Sequence, residues 1–228
     1  MSTREQAKLQ RRAAIVSAAR ALVRNTGAAG FSMRLLAEKA GVSVATPYNL
    51  FGSKQAIMLA LLDAESEDFW QALATSAADE IDQFFAAVSQ ATALYAREPD
   101  FYRALLQAVY NDGGKEFRSV FGPAQHARWR GMVRQAIETG ALIRATQADA
   151  MAVNLSSLFF SNILEWAFAE LTVEELEARV HYGFALSLCA MAADPDRTRL
   201  HKRALKAQTR LAALWRARDT DHEAASAG

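Results

Sequence analysis

The chain has 228 residues, 51% hydrophobic and 22% charged, which is enough apolar surface for one large domain or two smaller ones. No apolar run reaches the ~18–20 residues that a membrane span needs, and the single cysteine, Cys189, excludes an internal disulfide. The four histidines have no metal-ligand spacing, and no glycine-rich phosphate loop or nucleophile elbow occurs. We therefore expect a cytoplasmic protein with no cofactor, no metal and no catalytic site.

The charge is unevenly distributed along the chain. Residues 1–54 contain nine Lys/Arg and two acids, a net charge of +7, whereas residues 55–228 carry −6. A basic N-terminal part suits binding to nucleic-acid phosphates, although a solvated basic face would give the same balance. Four N-terminal cations are expected to form a flexible arm that adds salt-dependent affinity without sequence preference. They are Arg4, Lys8, Arg11 and Arg12.

Sparse glycine and proline (11 and 4) and apolar residues at helical spacing predict an all-α fold. The expected helices are, in chain order, about 6–26, two short helices within 31–54, then 53–74, 79–97, 100–111, 124–139, 149–170, 173–193 and 196–217. Thr172 and Glu175 have the spacing of a capping box at the start of the 173–193 helix. The last helix is basic, so it is either a solvated face or a second contact with DNA or another subunit.

Residues 31–54 have the pattern of a helix-turn-helix. Gly41 supplies the positive φ that ends the first helix, and Ser43 is expected to cap the second. Tyr48 and Phe51 are expected to face inward from that second helix, which in such motifs enters a DNA major groove. Pro47 is compatible with this helix only if it lies in the first turn, because proline lacks a backbone donor.

The order of short motifs in the first 60 residues resembles the N-terminal domain of the TetR-type repressors. The matching pieces are a long first helix, then Phe31-Ser32-Met33-Arg34, Leu36-Ala37-Glu38-Lys39-Ala40-Gly41-Val42-Ser43 and Tyr48-Asn49-Leu50-Phe51-Gly52-Ser53-Lys54. The resemblance implies a three-helix DNA-binding domain (1–52) and a helical ligand-binding and dimerisation domain (53–218), with a disordered tail (219–228). Pro47 departs from the family pattern, where a bulky aliphatic residue is usual.

The resemblance and the residue types together predict the DNA contacts. Arg34 can reach a guanine edge, Ser32 can place its hydroxyl near a phosphate at a helix start, and the family uses the residue matching Lys54 on a phosphate. The expected contacts are Ser32, Arg34, Ser43, Val44, Ala45, Thr46, Tyr48, Asn49 and Lys54.

The larger domain is expected to form a homodimer and to bind a small molecule. By resemblance, the helices at about 149–170 and 173–193 pair with their twofold mates, so that two recognition helices read a palindromic operator in double-stranded DNA. The aromatic residues of the 79–170 region, with a few polar ones, are expected to line a pocket for a hydrophobic or aromatic effector. The candidates are Phe84, Phe101, Tyr102, Arg103, Leu105, Tyr110, Phe117, Phe121, His126, Trp129, Phe159, Asn162, Glu165 and Trp166.

The expected function is therefore a transcriptional repressor that its effector releases from the operator. In this hypothesis the effector tilts the helix that begins at Lys54 and so changes the spacing of the two DNA-binding domains. The alternative is a helix-turn-helix regulator, possibly an activator, that a protein partner controls. A cavity among the core helices would favour the ligand-responsive form, and a filled core would favour the partner-controlled form.

Overall fold

The computed structural model describes residues 2–27, 30–74, 79–110, 123–168 and 171–226. Within these ranges the chain forms ten α-helices and no β-strand, apart from one isolated bridge between Leu142 and Ala192. The helices are α1 (Thr3–Thr26), α2 (Met33–Lys39), α3 (Ala45–Phe51), α4 (Lys54–Ala74), α5 (Glu80–Arg97), α6 (Pro99–Tyr110), α7 (Pro123–Glu138), α8 (Ala148–Phe168), α9 (Val173–Met191) and α10 (Asp196–Ser226). None of them is both long and apolar enough to cross a membrane, as far as the described residues extend.

The all-α prediction is confirmed, and most helix ends lie within a few residues of their predicted positions. The largest difference is at the C-terminus. Helix α10 continues to Ser226, well past the expected end at 217 and into the segment expected to be disordered.

The chain divides into two compact units. The first contains residues 1–71 and 98–122, and therefore α1–α3, most of α4, and α6. The second contains residues 72–97 and 123–228, and therefore α5 and α7–α10.

In the first unit, α1 packs against α2 and α6. Its buried face consists of Ile15, Ala18, Ala19, Leu22 and Val23, which recur at helical spacing. Polar contacts between α1, α4 and α6 add to this packing. The Nε atom of Arg20 lies 2.6 Å from Glu65 Oε1 of α4, and the hydroxyl of Tyr102 in α6 donates to the other oxygen of that carboxylate at 3.0 Å. One carboxylate therefore joins three helices.

In the second unit, α9 packs against α5, α8 and α10. Its buried side chains include Leu176, Val180, Phe184 and Leu188, spaced to cover one face. Helix α10 buries a matching row of small and apolar side chains. They are Leu200, Ala204, Ala207 and Leu211.

Ion pairs hold α10 in place at several points. Arg199 pairs with Asp79 at 2.5 Å, Arg203 pairs with Asp82, and Arg210 pairs with Glu177 at 2.8 Å. The Arg199 guanidinium lowers the pKa of the Asp79 carboxyl, chiefly by donating a hydrogen bond to it. Several cations of this basic helix thus have partners within the chain, which supports a structural role for them.

The capping box expected at the start of α9 is only half formed. The Thr172 hydroxyl accepts a hydrogen bond from the Glu175 backbone N–H at 3.1 Å, as expected of a helix cap. The Glu175 side chain does not return this bond to the Thr172 backbone. It is buried, and it accepts hydrogen bonds from Arg179 (2.6 Å), Trp215 Nε1 (2.8 Å) and Arg218 (3.3 Å). The prediction of a complete box is therefore wrong, because Arg179 one turn along α9 and the two α10 donors bind the carboxylate instead.

Helices α5, α9 and α10 enclose a small polar cluster around His181. Its Nε2 atom lies 3.3 Å from both the Ser89 hydroxyl and the Phe85 carbonyl oxygen. Ser89 donates to Glu177 at 2.7 Å, and Arg210 pairs with the same carboxylate. Burial lowers the pKa of His181 and outweighs the opposing effect of the Glu177 carboxylate.

This lowered pKa predicts an acid-sensitive stability. Below the usual histidine pKa of about 6.5, the unfolded chain binds a proton at this residue that the folded chain binds less readily, so stability falls as pH falls. We expect wild type to lose up to about 1 kcal/mol more than His181→Gln between pH 6.5 and 5.5. Urea unfolding at both pH values measures this difference. His201→Gln, which changes an exposed histidine of α10, should follow wild type, and identical pH profiles for all three proteins would contradict the assignment.

Candidate nucleic-acid interface

The turn between α2 and α3 has the geometry that its sequence predicts. Gly41 has φ +65°, and its N–H donates to Glu38 O while the Val42 N–H donates to Ala37 O. This pair of bonds is a Schellman motif, which satisfies carbonyls at the end of α2. A Cβ on Gly41 would meet no atom within 4 Å, so its backbone conformation is what favours glycine here.

The start of α3 differs from the expectation in one respect. Val44 occupies the N-cap position, no side chain caps the helix, and Ser43 instead shares a 2.9 Å hydrogen bond with the Thr46 hydroxyl. The prediction that Ser43 caps α3 is therefore wrong. Pro47 is the third residue of α3, so it lies in the first turn, where its missing N–H removes no bond within the helix. The expectation that Pro47 must lie in the first turn of this helix is confirmed.

Pro47 is the buried residue of α3, so the side of the helix that carries Pro47 faces the protein interior. Tyr48 is 49% exposed, so the prediction of an inward-facing tyrosine ring is wrong. Proline at this site takes the inward position that Tyr48 was expected to fill. Val44, Ala45 and Asn49 are also exposed, and Thr46 is half-buried. The outward face of α3 therefore carries an amide, a phenol and small apolar groups, all within reach of a ligand on that side.

Helix α2 begins with Ser32, whose hydroxyl accepts a hydrogen bond from the Leu35 N–H at 3.2 Å. Ser32 is thus the N-cap of α2 and lies at a helix start, as expected, and it is half-buried. Arg34 follows in the first turn and is exposed. Among the described residues, Arg34 has no hydrogen bond or ion pair, so its guanidinium is available to an external acceptor.

Lys54, the first residue of α4, has partners inside the protein. Its ammonium donates to the Phe31 carbonyl oxygen at 3.0 Å and lies 5.3 Å from the centroid of the Phe31 ring. A cation at a helix N-terminus is unfavourable, and these contacts offset that cost without an external anion. The position of Lys54 alone is therefore weaker support for a phosphate contact than the sequence suggested.

The N-terminal cations are not a flexible arm. Helix α1 starts at Thr3, where Ser2 and Glu5 form a complete capping box, so all four expected arm residues are helical. Arg12 is held most firmly of the four, by contacts with the end of α3. The sequence gives no signal for this role, because Arg12 is one of several neighbouring cations and its partners lie 38 positions or more away.

The candidate effector residues fall into both compact units. In the second unit, Phe84, Trp129 and Trp166 are buried, and Phe159 is half-buried. Trp129 contacts three aromatic rings, those of Phe84, Phe159 and Phe184, with centroids 5.6–6.4 Å away. These side chains therefore pack against one another in the second unit.

The polar candidates of the second unit have partners in the protein. His126 lies 3.4 Å from Asp149, Asn162 donates to the carbonyl of the residue four positions earlier at 2.8 Å, and Glu165 pairs with Arg179 at 2.7 Å. Hydrogen bonds from Arg130 and His126 lower the pKa of the Asp149 carboxyl.

The first unit holds the other described candidates, all on α6. Phe101, Tyr102 and Leu105 are buried, Arg103 is half-buried, and Tyr110 is 41% exposed. The positions predicted at Phe117 and Phe121 lie outside the described residues. No cluster of three His, Cys, Asp or Glu side chains suited to a metal occurs in the described part of the chain.

An all-helical chain with a short helix, a glycine turn and an outward-facing second helix defines the class of helix-turn-helix regulators. Residues 15–61 match the sequence family described as bacterial regulatory proteins, tetR family. The N-terminal part of the chain, residues 15–61, is therefore a domain of the kind found in TetR-family transcriptional regulators, which carry a DNA-binding helix-turn-helix.

Solved structures of the family share the fold at low sequence identity. FadR from Thermus thermophilus, a repressor solved with lauroyl-CoA, is 24% identical, with a TM-score of 0.64 over 80% of this chain and 95% of FadR. A TetR regulator from Rhodococcus sp. RHA1 is 19% identical, with a TM-score of 0.64 over 81% and 97% of the two chains. RolR, solved with resorcinol, is 17% identical, with a TM-score of 0.64 over 91% and 95%. No curated protein sequence matches the chain significantly.

Proposed function

We propose that the chain is a homodimeric repressor that binds a palindromic operator and leaves it when a hydrophobic or aromatic small molecule binds. The observation that carries this proposal is the helix-turn-helix of α2 and α3, which buries Pro47 and turns Tyr48 and Asn49 outward. In functional terms, residues 1–52 are the DNA-binding domain and residues 53–218 the dimerisation and effector domain.

The exposed groups suggest separate roles at the DNA surface. Arg34 and Asn49 have the donors to read a guanine and an adenine edge, respectively, and Val44 and Ala45 can contact thymine methyl groups. Tyr48 is assigned to a phosphate through its hydroxyl.

Four further contact residues receive less support from the structure, because their polar groups already have protein partners. Thr46 and Ser43 share a hydrogen bond, Ser32 caps α2, and Lys54 binds a carbonyl oxygen. Each retains further hydrogen-bonding capacity, since a hydroxyl oxygen has two lone pairs and an ammonium three donors. We keep them as phosphate or base contacts of the proposed interface.

Apolar residues exposed on α8 and α9 support the proposed dimer. Val153 and Phe168 of α8 are 52% and 45% exposed, and Leu186 of α9 is 49% exposed. The two helices lie close together, because a Cβ on Gly183 would be 3.2 Å from the Leu158 side chain. Exposed apolar side chains on adjacent helices are typical of a surface that another subunit covers. A twofold copy of this chain would place two α3 helices on a palindrome.

The proposed effector class rests on the aromatic composition of the core and on the neighbours. RolR was solved with resorcinol, an aromatic molecule, and FadR with lauroyl-CoA, which carries an acyl chain. Helix α4 runs unbroken from Lys54 to Ala74, from the first unit into the second. We propose that effector binding shifts α4 and thereby the proposed DNA-binding domain.

A second candidate is regulation by a protein partner. The packing of Trp129 against Phe84, Phe159 and Phe184 supports it, because these rings already cover part of one another's surface. A ligand that binds the chain yet changes operator affinity by less than about twofold would favour this candidate over the effector mechanism.

Selection of bound fragments from a random DNA pool tests the proposed reading of DNA. We expect wild type to recover one palindromic site, and Arg34→Ala and Tyr48→Ala each to weaken binding to it by about 10–100-fold. For Arg34 this range corresponds to the ~1–3 kcal/mol of a good base contact, and for Tyr48 to the ~1.5–3 kcal/mol of a hydrogen bond to a charged group. Fluorescence anisotropy with the selected fragment measures the loss.

Two matched variants serve as controls for this experiment. Lys39→Ala removes a positive charge from the other end of α2, and it should weaken binding to all sequences alike. Tyr48→Phe keeps the ring and removes only the hydroxyl. Recovery of no preferred site by wild type, with weak binding to every fragment, would refute the proposed function.

A further inference from the structure

Arg12 makes two contacts with the C-terminal end of the recognition helix α3. Its Nη1 atom donates to the Leu50 carbonyl oxygen, and its guanidinium carbon lies 4.1 Å from the centroid of the Phe51 ring. The Arg12 side chain is half-buried, whereas its neighbour Arg11 is exposed. A single α1 side chain thus binds both the backbone and a side chain at the end of α3.

These contacts matter because α3 is too short to be stable by itself. It has seven residues, and isolated helices shorter than ~12–15 residues are marginal in water. The last four carbonyls of a helix have no partner within it. At the end of α3, the Gly52 N–H donates to the Tyr48 carbonyl oxygen, and Arg12 donates to that of Leu50. A cation at this end also interacts favourably with the helix dipole.

The chemistry of these contacts suits arginine more than lysine. A planar guanidinium can lie over a ring and donate in its own plane at the same time, whereas an ammonium is a compact charge without that planar geometry. Arg12 was expected to add a charge for nonspecific DNA binding, but its side chain is already directed at α3.

We propose that Arg12 is a positioning residue for the recognition helix: it fixes the orientation of α3 and so sets sequence preference, without itself contacting a phosphate. This inference rests on the proposed reading of DNA by α3. The proposal distinguishes Arg12 from a residue that contacts a phosphate. Loss of a phosphate contact would weaken binding to all DNA and reduce the salt dependence of the affinity.

The test compares Arg12→Ala, Arg12→Lys and the charge-matched control Arg11→Ala in the full-length chain. Two DNA probes are used: the fragment that wild type selects from a random pool, and a shuffled fragment of the same length. Affinity for each is measured between about 50 and 200 mM salt, which gives the slope of log Kobs against log[salt]. Hydrogen exchange of the α3 amides is followed in the DNA-free proteins, and circular dichroism confirms that each variant is folded.

We expect Arg12→Ala and Arg12→Lys both to lose about tenfold or more in affinity for the selected fragment, comparable to one base contact. Their affinity for the shuffled fragment should change no more than that of Arg11→Ala, and the salt slope should equal that of wild type. The α3 amides should exchange faster in both Arg12 variants, while the α1 amides keep their protection.

Three results would overturn the proposal. The first is full retention of operator affinity by Arg12→Lys. The second is an equal loss of affinity for both fragments, with a salt slope smaller in magnitude by about 0.9. The third is an unchanged rate of hydrogen exchange at the α3 amides. If wild type itself prefers no sequence, the proposed function fails, and the α3 exchange rates alone then decide whether Arg12 positions the helix.

Discussion

Leu186→Glu should convert the protein from a dimer to a monomer and weaken operator binding by about 10²–10⁴-fold. Leu186 lies on α9 and is 49% exposed, so the change leaves the interior of the chain intact. In the proposed dimer it would place a carboxylate opposite the partner's apolar surface, without a charge to pair with it. The two half-sites would then be bound independently, and the gain from linked binding would be lost. Sedimentation velocity gives the oligomeric state, and fluorescence anisotropy gives the affinity.

Leu205→Glu is the matched control for this variant. Leu205 is a leucine of α10 with the same 49% exposure, and it lies outside the proposed α8–α9 surface. The control should remain dimeric and bind the operator like wild type. A dimeric Leu186→Glu protein with full affinity would show that another surface forms the dimer.

Glu175→Ala should destabilise the chain by about 3–5 kcal/mol, the usual cost of removing one partner from a buried charged network. The Glu175 carboxylate is 4% exposed, and it accepts hydrogen bonds from Arg179, Trp215 and Arg218. Its loss would leave the Trp215 and Arg218 donors without this acceptor, would leave Arg179 with Glu165 alone, and would release the second half of α10 from α9. Urea unfolding followed by circular dichroism measures the change in free energy.

Glu174→Ala provides the comparison within the same turn of α9. Both residues are acidic and lie in the first turn, where negative charge is favourable, but Glu174 is exposed. We expect its replacement to cost no more than about 1 kcal/mol. Similar losses for the two variants would mean that the helix dipole, and not the buried network, accounts for the effect.

Local chemistry explains the features that could be predicted from the sequence. The Gly41 turn, the helix start at Ser32 and the place of Pro47 in the first turn of α3 depend on backbone conformation and on neighbours within a few residues. The helices themselves follow from apolar spacing, which is why the fold class and most helix ends could be predicted.

Long side chains account for what could not be predicted. Arg12 and Lys54 find their partners 23 or more positions away, and Glu175 binds Trp215 and Arg218 at 40 or more positions. Nothing near these residues in sequence indicates those distant partners. The orientation of α3 was misjudged for a related reason. Burial of Pro47 displaced Tyr48 from the inward position, and this outcome depends on how α3 packs and not on its own pattern.

Helix α10 also changes the electrostatic character of the rest of the protein. Residues 196–228 contain eight Lys/Arg and four acids, so residues 55–195 by themselves carry a net charge of −10. The Arg199, Arg203 and Arg210 ion pairs fix part of this positive charge directly against acidic side chains. Helix α10 thus supplies counter-charges that are covalently part of the chain. It lessens the self-repulsion of an acidic body and weakens the field that would oppose the approach of a polyanion such as DNA.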